Sequence, residues 1–205
     1  RIIGTSPARL DSPEKLRGAA RFGLDTRVPG QLFVAIARSP VFGAKPRSWD
    51  AAAAKARPGV REVLQVDSGI AVAATSTWAA LQARDALRVE WEGGETTLSS
   101  ESIRAMFAAK LAEGSPDVKA YRDEGDLDAA LAGAARTLTA EYHLPFLAHA
   151  SIEPLNCAAH VQADGAEIWA PTQAPQWPLG QLARLLDLPP ERIKLHTTLV
   201  GGAFG

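Results

Sequence analysis

Cysteine is almost missing from this chain. One thiol, Cys157, among 205 residues rules out an internal disulfide and any zinc site built mainly from thiolates. An excess of charge of either sign is missing too, with 22 Lys and Arg against 23 Asp and Glu and a formal net charge of −1. That balance supplies no basic field for holding nucleic acid or an anionic membrane surface. No run approaches the ~18 apolar residues of a membrane span. The N-terminus lacks the charged-then-apolar pattern of a secretory signal. A signal carried on a longer precursor would leave the same text, so the compartment stays open between periplasm and cytoplasm.

What is present is an ordinary globular composition, 46% hydrophobic and 22% charged, of the soluble kind. A chain of this length buries roughly 70% of its unfolded surface and folds without staples. Residues 1–20 are polar, interrupted by Pro7 and Pro13, and read as a lead-in segment. Residues 31–38 place Leu32, Val34 and Ile36 on one side and Phe33 on the other, which predicts a strand covered on both faces. Ser48 is a fair N-cap for Ala-rich helical turns over 49–57, stopped by Pro58-Gly59. Strands are expected at 60–66, 70–74 and 88–91, with a turn at Asp67-Ser68-Gly69 and a helix from Thr77 to about Leu87. This alternation is that of a compact α/β or α+β unit.

Ser99 or Ser100 opens a helix whose Ile103, Met106, Phe107 and Leu111 form one stripe, which predicts core residues. Residues 114–125 read as a charged surface linker, followed by a short helix over 126–133. Leu138, Ala140, Tyr142 and Leu144 then alternate with polar residues, which predicts a strand. Two more strands are expected near 158–162 and 167–169 around the Asp164-Gly165 turn. A Leu-rich helix through Leu179, Leu182, Leu185 and Leu186 is ended by Pro189-Pro190. A final strand over 193–200 runs straight into Gly201-Gly202-Ala203-Phe204-Gly205.

Chemistry concentrates in the last third. His149, Glu153, Cys157 and His160 crowd together, and on a helix His149 and Glu153 would share a face as metal ligands require. Pro154 pushes Glu153 out of the α region and removes that face. The plainer expectation is a polar loop whose side chains satisfy buried backbone groups. Cys157, in an apolar run without basic neighbours, reads as a small core residue rather than a nucleophile. The terminal glycines let the backbone bend sharply, either as an ordinary turn or as an anion-binding nest of N–H groups. Gln173, between Pro171 and Pro175, is either a loop amide or an amide held in one orientation, able to donate and accept at once.

Taken in order, the segments carry more than each alone. The succession Pro145-Phe146-Leu147-Ala148-His149-Ala150-Ser151-Ile152-Glu153-Pro154, then Trp169-Ala170-Pro171-Thr172-Gln173, then a Leu-rich helix and a strand into Gly201-Gly202-Ala203-Phe204-Gly205, resembles the molybdenum hydroxylases. This is the xanthine dehydrogenase and aldehyde oxidase superfamily, and the likeness is to its large subunit of the isoquinoline 1-oxidoreductase and bacterial aldehyde dehydrogenase kind. Upstream, Arg21-Phe22-Gly23-Leu24-Asp25, Val28-Pro29-Gly30, Arg38-Ser39-Pro40, Pro58-Gly59-Val60 and Ser76-Thr77-Trp78-Ala79-Ala80 resemble that family's hammerhead domain.

The resemblance implies an α+β fold: an α/β hammerhead-type domain over 21–97, a helical connector over 98–135, and the first part of a mixed α+β molybdopterin-binding domain over 136–205. It implies a molybdopterin cytosine dinucleotide cofactor and hydroxylation of an aldehyde or N-heteroaromatic carbon, with water as oxygen source. Electrons are then expected to leave through a partner subunit carrying [2Fe–2S] clusters. Carried onto this sequence, Gln173 is the donor to an oxo ligand on molybdenum, and Gly202, Ala203, Phe204 and Gly205 form the loop against the cofactor. Ala203 stands where the family often has a third glycine. The family's general-base glutamate and most cofactor contacts belong to a region beyond Gly205, so no catalytic residue is assigned here and this stretch alone is expected to be inactive. The competing expectation is a non-catalytic module that folds alone and at most docks a partner chain.

Overall fold

The structure is a computed structural model that describes residues 2–112 and 119–202. Ala203, Phe204 and Gly205, and part of the expected 114–125 linker, lie outside the described residues. In chain order the elements are α1 (Ser12–Leu16), β1 (Phe33–Ala37), β2 (Lys45–Asp50), α2 (Ala52–Lys55), β3 (Val60–Val66), β4 (Gly69–Ala74) and α3 (Thr77–Asp85). They continue with β5 (Arg88–Glu92), α4 (Ser100–Leu111), α5 (Leu127–Ala132), β6 (Ala158–Gln162), β7 (Gly165–Ala170), α6 (Gln176–Leu186) and β8 (Ile193–Thr197). Short 3-10 turns occupy Gly23–Asp25 and Pro190–Arg192. The fold is α+β and divides into two compact units, Leu32–Phe146 and the combination of Arg1–Gln31 with Leu147–Gly205.

The Leu32–Phe146 unit is built on β4. Its sequence, Gly69-Ile70-Ala71-Val72-Ala73-Ala74, offers no polar side chain, and all six residues are buried at the centre of the antiparallel order β1-β4-β3. Ile70 and Val72 pack with Ala54, Val63 and Ala83, while Ala74 packs with Ala35 and Ala80. These small residues let α3 lie close on the sheet. Ser76, one position before the expected Thr77, caps α3 by accepting from the Ala79 N–H at 3.2 Å.

Several expectations for this unit are corrected. β1 is covered on one face only: Ala35 is buried, whereas Val34 on the opposite face is 58% exposed. Ser48 is no helix cap. It lies in β2, which pairs antiparallel with β5, and its hydroxyl donates to Glu90 Oε2 at 2.8 Å. The Ala-rich helix shrinks to α2, opened by Asp50, whose Oδ1 accepts from the Ala52 N–H at 2.8 Å. The stripe on α4 is not core: the helix has no buried residue, and Phe107, 46% exposed, meets Phe146 edge-on at 6.1 Å. Residues 137–144 form no strand and Tyr142 is 87% exposed, because no partner strand among the described residues offers the ladder that alternation needs.

In the second unit, β6 and β7 form an antiparallel hairpin and β8 joins β7 in parallel. Ala166, Ile168 and Ile193 form the buried face of this sheet, against Leu179, Leu182 and Leu186 of α6. The opposite alternation puts Glu167 and Trp169 beside Lys194 and His196. α6 stops at Asp187, in the left-handed conformation at φ 51°, ahead of the proline pair expected to end it. No helix among the described residues is long and apolar enough to cross a membrane.

Candidate functional site

The parallel pairing of β7 and β8 decides where this unit can bind something. Ala170 is registered with Thr197 at the ends of the two strands. The loop carrying Gln173 and the turn carrying Gly201 and Gly202 therefore leave the same, carboxyl, end of the sheet, where open sheets commonly receive ligands. The Thr198 N–H donates to Ala170 O at 3.3 Å and extends the pairing by one step. Gln173 is exposed in its loop, and the Thr172 hydroxyl next to it accepts from the Ala174 N–H at 3.2 Å, which shapes the bend.

Beneath the glycine turn lies Glu153, only 9% exposed. Its Oε1 accepts from the Leu24 N–H and from Asn156 Nδ2, both at 2.9 Å, and its Oε2 accepts from the Gly201 N–H at 2.8 Å. The Glu153 N–H donates in return to Gly201 O at 3.0 Å. A parallel bridge between Phe22 and Leu199, with the Gly23 N–H donating to Leu199 O at 3.2 Å, ties the N-terminal segment to the same strand end. Desolvation pushes the Glu153 carboxyl up. The two backbone amides and the Asn156 amide outweigh it, and the group ends below its ordinary value, with the Asp25 carboxylate opposing them.

The expectation that polar side chains of the 149–160 loop satisfy buried backbone groups is met by Glu153. Metal ligation is not: His149 and His160 are exposed, and no group of three or more His, Cys, Asp or Glu among the described residues is arranged for a metal ion. Cys157 is corrected as well. It is exposed at an apolar cleft of about 540 Å³ lined by Ile168, Trp177, Leu182, Leu185 and Leu195, where desolvation pushes its thiol above the ordinary range. A raised thiol without a basic neighbour is a poor nucleophile. On the polar face, Trp169 stacks on His196 at 5.0 Å, and the Lys194 ammonium beside Glu167 lowers that carboxyl.

Sequence reasoning missed Leu24 and Asn156, because neither type announces a role and Leu24 acts through its backbone. It also missed Thr198, whose hydroxyl is buried with no hydrogen-bond partner among the described residues.

A family model described as the molybdopterin cofactor-binding domain matches residues 111–205. Over its whole length the chain is 33% identical to the isoquinoline 1-oxidoreductase subunit beta of Brevundimonas diminuta, of which it spans 27%. It is likewise 33% identical to a protein of Gluconacetobacter polyoxogenes named membrane-bound aldehyde dehydrogenase [pyrroloquinoline-quinone], of which it spans 28%. Residues 111–205 are thus similar to a molybdopterin cofactor-binding domain, and the whole chain is similar to somewhat over a quarter of the length of these relatives. The fold agrees: quinoline 2-oxidoreductase from Pseudomonas putida 86 superposes over all of this chain and 31% of its own, with a TM-score of 0.71 at 24% identity.

The strand ends have features that fit a polar ligand such as the group bound by the matched cofactor-binding domain. Gly202 sits at φ 69°, and a Cβ there would meet the Ile152 side chain at 3.0 Å, so only a bare backbone suits this bend. The unpartnered Thr198 hydroxyl is a polar group of the kind an added ligand would satisfy.

Proposed function

We propose that this chain forms one wall of the molybdopterin site in an oxidoreductase that hydroxylates aldehydes or N-heteroaromatic compounds with water as the oxygen source. Residues 21–97 act as the hammerhead-type domain, 98–135 as the connector and 136–205 as the opening of the molybdopterin-binding domain. The cofactor is taken in its cytosine dinucleotide form, and electrons pass on to a partner subunit with [2Fe–2S] clusters. The remainder of the large subunit completes the site.

One observation carries the reading: the Gln173 loop and the glycine turn issue from the same end of parallel β7 and β8, within the segment matched by the cofactor-binding family. Gln173 offers its side-chain N–H to an oxygen of the bound group and fixes its orientation. The backbone at Gly202 admits the group closely because no Cβ intervenes, and Ala203, Phe204 and Gly205 are assigned to the cofactor by the family resemblance alone. Donors held in place before the reaction stabilise charge that develops on oxygen. When bound, the cofactor supplies the redox chemistry itself.

The Gluconacetobacter relative has a name that points to a quinone cofactor, so the test must separate the two. Elemental analysis and nucleotide extraction of the full-length protein, purified with its partner, should give molybdenum and a cytosine nucleotide. A quinone in the extract without molybdenum would falsify the assignment, and protein free of either group would favour a non-catalytic module. Gln173→Ala should then lower kcat by about 100–1000-fold, the scale of losing one preorganised donor, with folding unchanged.

A further inference from the structure

We infer that Glu153 is a positioning residue: its carboxylate fills the cup made by the Leu24 and Gly201 amides as an internal anion, and so sets the glycine turn for the cofactor before the cofactor arrives. The inference rests on the reading of that turn as cofactor-facing. It names a group outside Gln173 and residues 202–205, one that touches neither substrate nor cofactor in the assignment above.

The geometry carries it. Glu153 is the one charged residue buried in the described core, and a buried carboxylate persists only where donors compensate its lost hydration. Three do so, and they come from three stretches of chain: Leu24 from the N-terminal segment, Asn156 from the loop of Glu153 itself, and Gly201 from the end of β8. The reciprocal bond from the Glu153 N–H to Gly201 O fixes the direction of the peptide on both sides. Pro154 biases Glu153 away from the helical region, and Asn156 Nδ2 donates a second time, to Pro154 O at 2.9 Å, so this donor is itself held. The remaining charged neighbour is Asp25, which opposes the negative charge and hydrogen-bonds the Phe22 N–H through Oδ2 at 2.9 Å.

A carboxylate suits this place as few other side chains can. Both oxygens accept, one of them twice, so a glutamine must turn its NH2 toward at least one N–H donor. An aspartate falls short by roughly 1.5 Å, the length of one carbon–carbon bond. Neither is conservative here.

The experiment uses the full-length protein and reads amide exchange at Leu24 and Gly201, molybdenum per protein, and kcat and KM per bound molybdenum. In Glu153→Gln, exchange at both amides should quicken by about tenfold, the scale of one hydrogen bond to a charged acceptor. Molybdenum per protein should fall several-fold, while the molecules that keep it should retain kcat and KM within about twofold. Asn156→Ala leaves both amide contacts in place and should shift exchange and molybdenum in the same direction by less, which keeps the test decisive if the glutamine variant fails to fold. Unchanged exchange at Gly201 overturns the inference, and so does quickened exchange with molybdenum at the wild-type level, which reduces Glu153 to a purely structural contact. Wild-type protein that binds no molybdenum removes the cofactor reading and the positioning role with it. Only the second and third of these outcomes need metal analysis, so the two failures are told apart.

Discussion

The two compact units bury their polar backbone by opposite means. In the Leu32–Phe146 unit, β4 lies between β1 and β3, and its cover is small apolar side chains on α3. In the other unit contacts join groups as far as 129 positions apart, and the buried carboxylate of Glu153 lies at their centre. The first arrangement is a packed core that tolerates no gap. The second is a set of directional bonds that hold one strand end in one shape, at the cost of a buried charge that must stay paired.

Deleting methylenes from β4 tests the first half of this contrast. Ile70→Ala should cost about 2–5 kcal/mol, read as a lowered midpoint for the unfolding transition that exposes residues 32–146. A cost near zero would mean the unit is not packed as described. Gly202→Ala tests the second half. It forces a Cβ into φ 69° against Ile152 and should cost about 1–2 kcal/mol, with bound molybdenum lost out of proportion to stability. Equal losses of both would blur the contrast.

Acid sharpens it further. Because the folded Glu153 carboxyl titrates below its ordinary value, its contribution is complete above the unfolded value of about 4.3. It is lost as pH falls through the lowered folded value. Wild-type should therefore lose amide protection at Gly201 on acidification below pH ~4, whereas Glu153→Gln should show no such step at that amide. Ser76→Ala removes the cap of α3 and should cost about 1 kcal/mol without altering exchange at Gly201. Smallest is Asp187→Gly, which relieves a left-handed backbone at the end of α6 and should gain roughly 0.5 kcal/mol. Thermal denaturation resolves both signs.

Legibility from sequence follows the same division. β3, β4, α3, the β6–β7 hairpin and α6 could be read because each is specified within its own stretch, by turn residues, a cap or a periodic stripe. β2 was missed because Trp49 and Ser48 owe their conformation to pairing with β5, about forty positions on. The alternation over 137–144 and the stripe on α4 were misread for a related reason: periodicity reports which face seeks cover, and cover itself is a non-local fact. At the candidate site, proline and glycine spacing alone makes Gln173 a loop amide and Gly202 part of an ordinary turn, and only the family resemblance singles them out. Leu24 and Thr198 carry no such signal, since one contributes a backbone amide and the other a hydroxyl distinguished only by its burial.

The β7-α6-β8 crossover has a consequence for how this protein can vary. Residues 187–192 join α6 to β8 at the amino end of the parallel pair, whereas residues 171–175 and 198–202 lie at the other end. Insertions and deletions accumulated over evolutionary time should gather in the first connection, away from the candidate site, and should be purged from the other two.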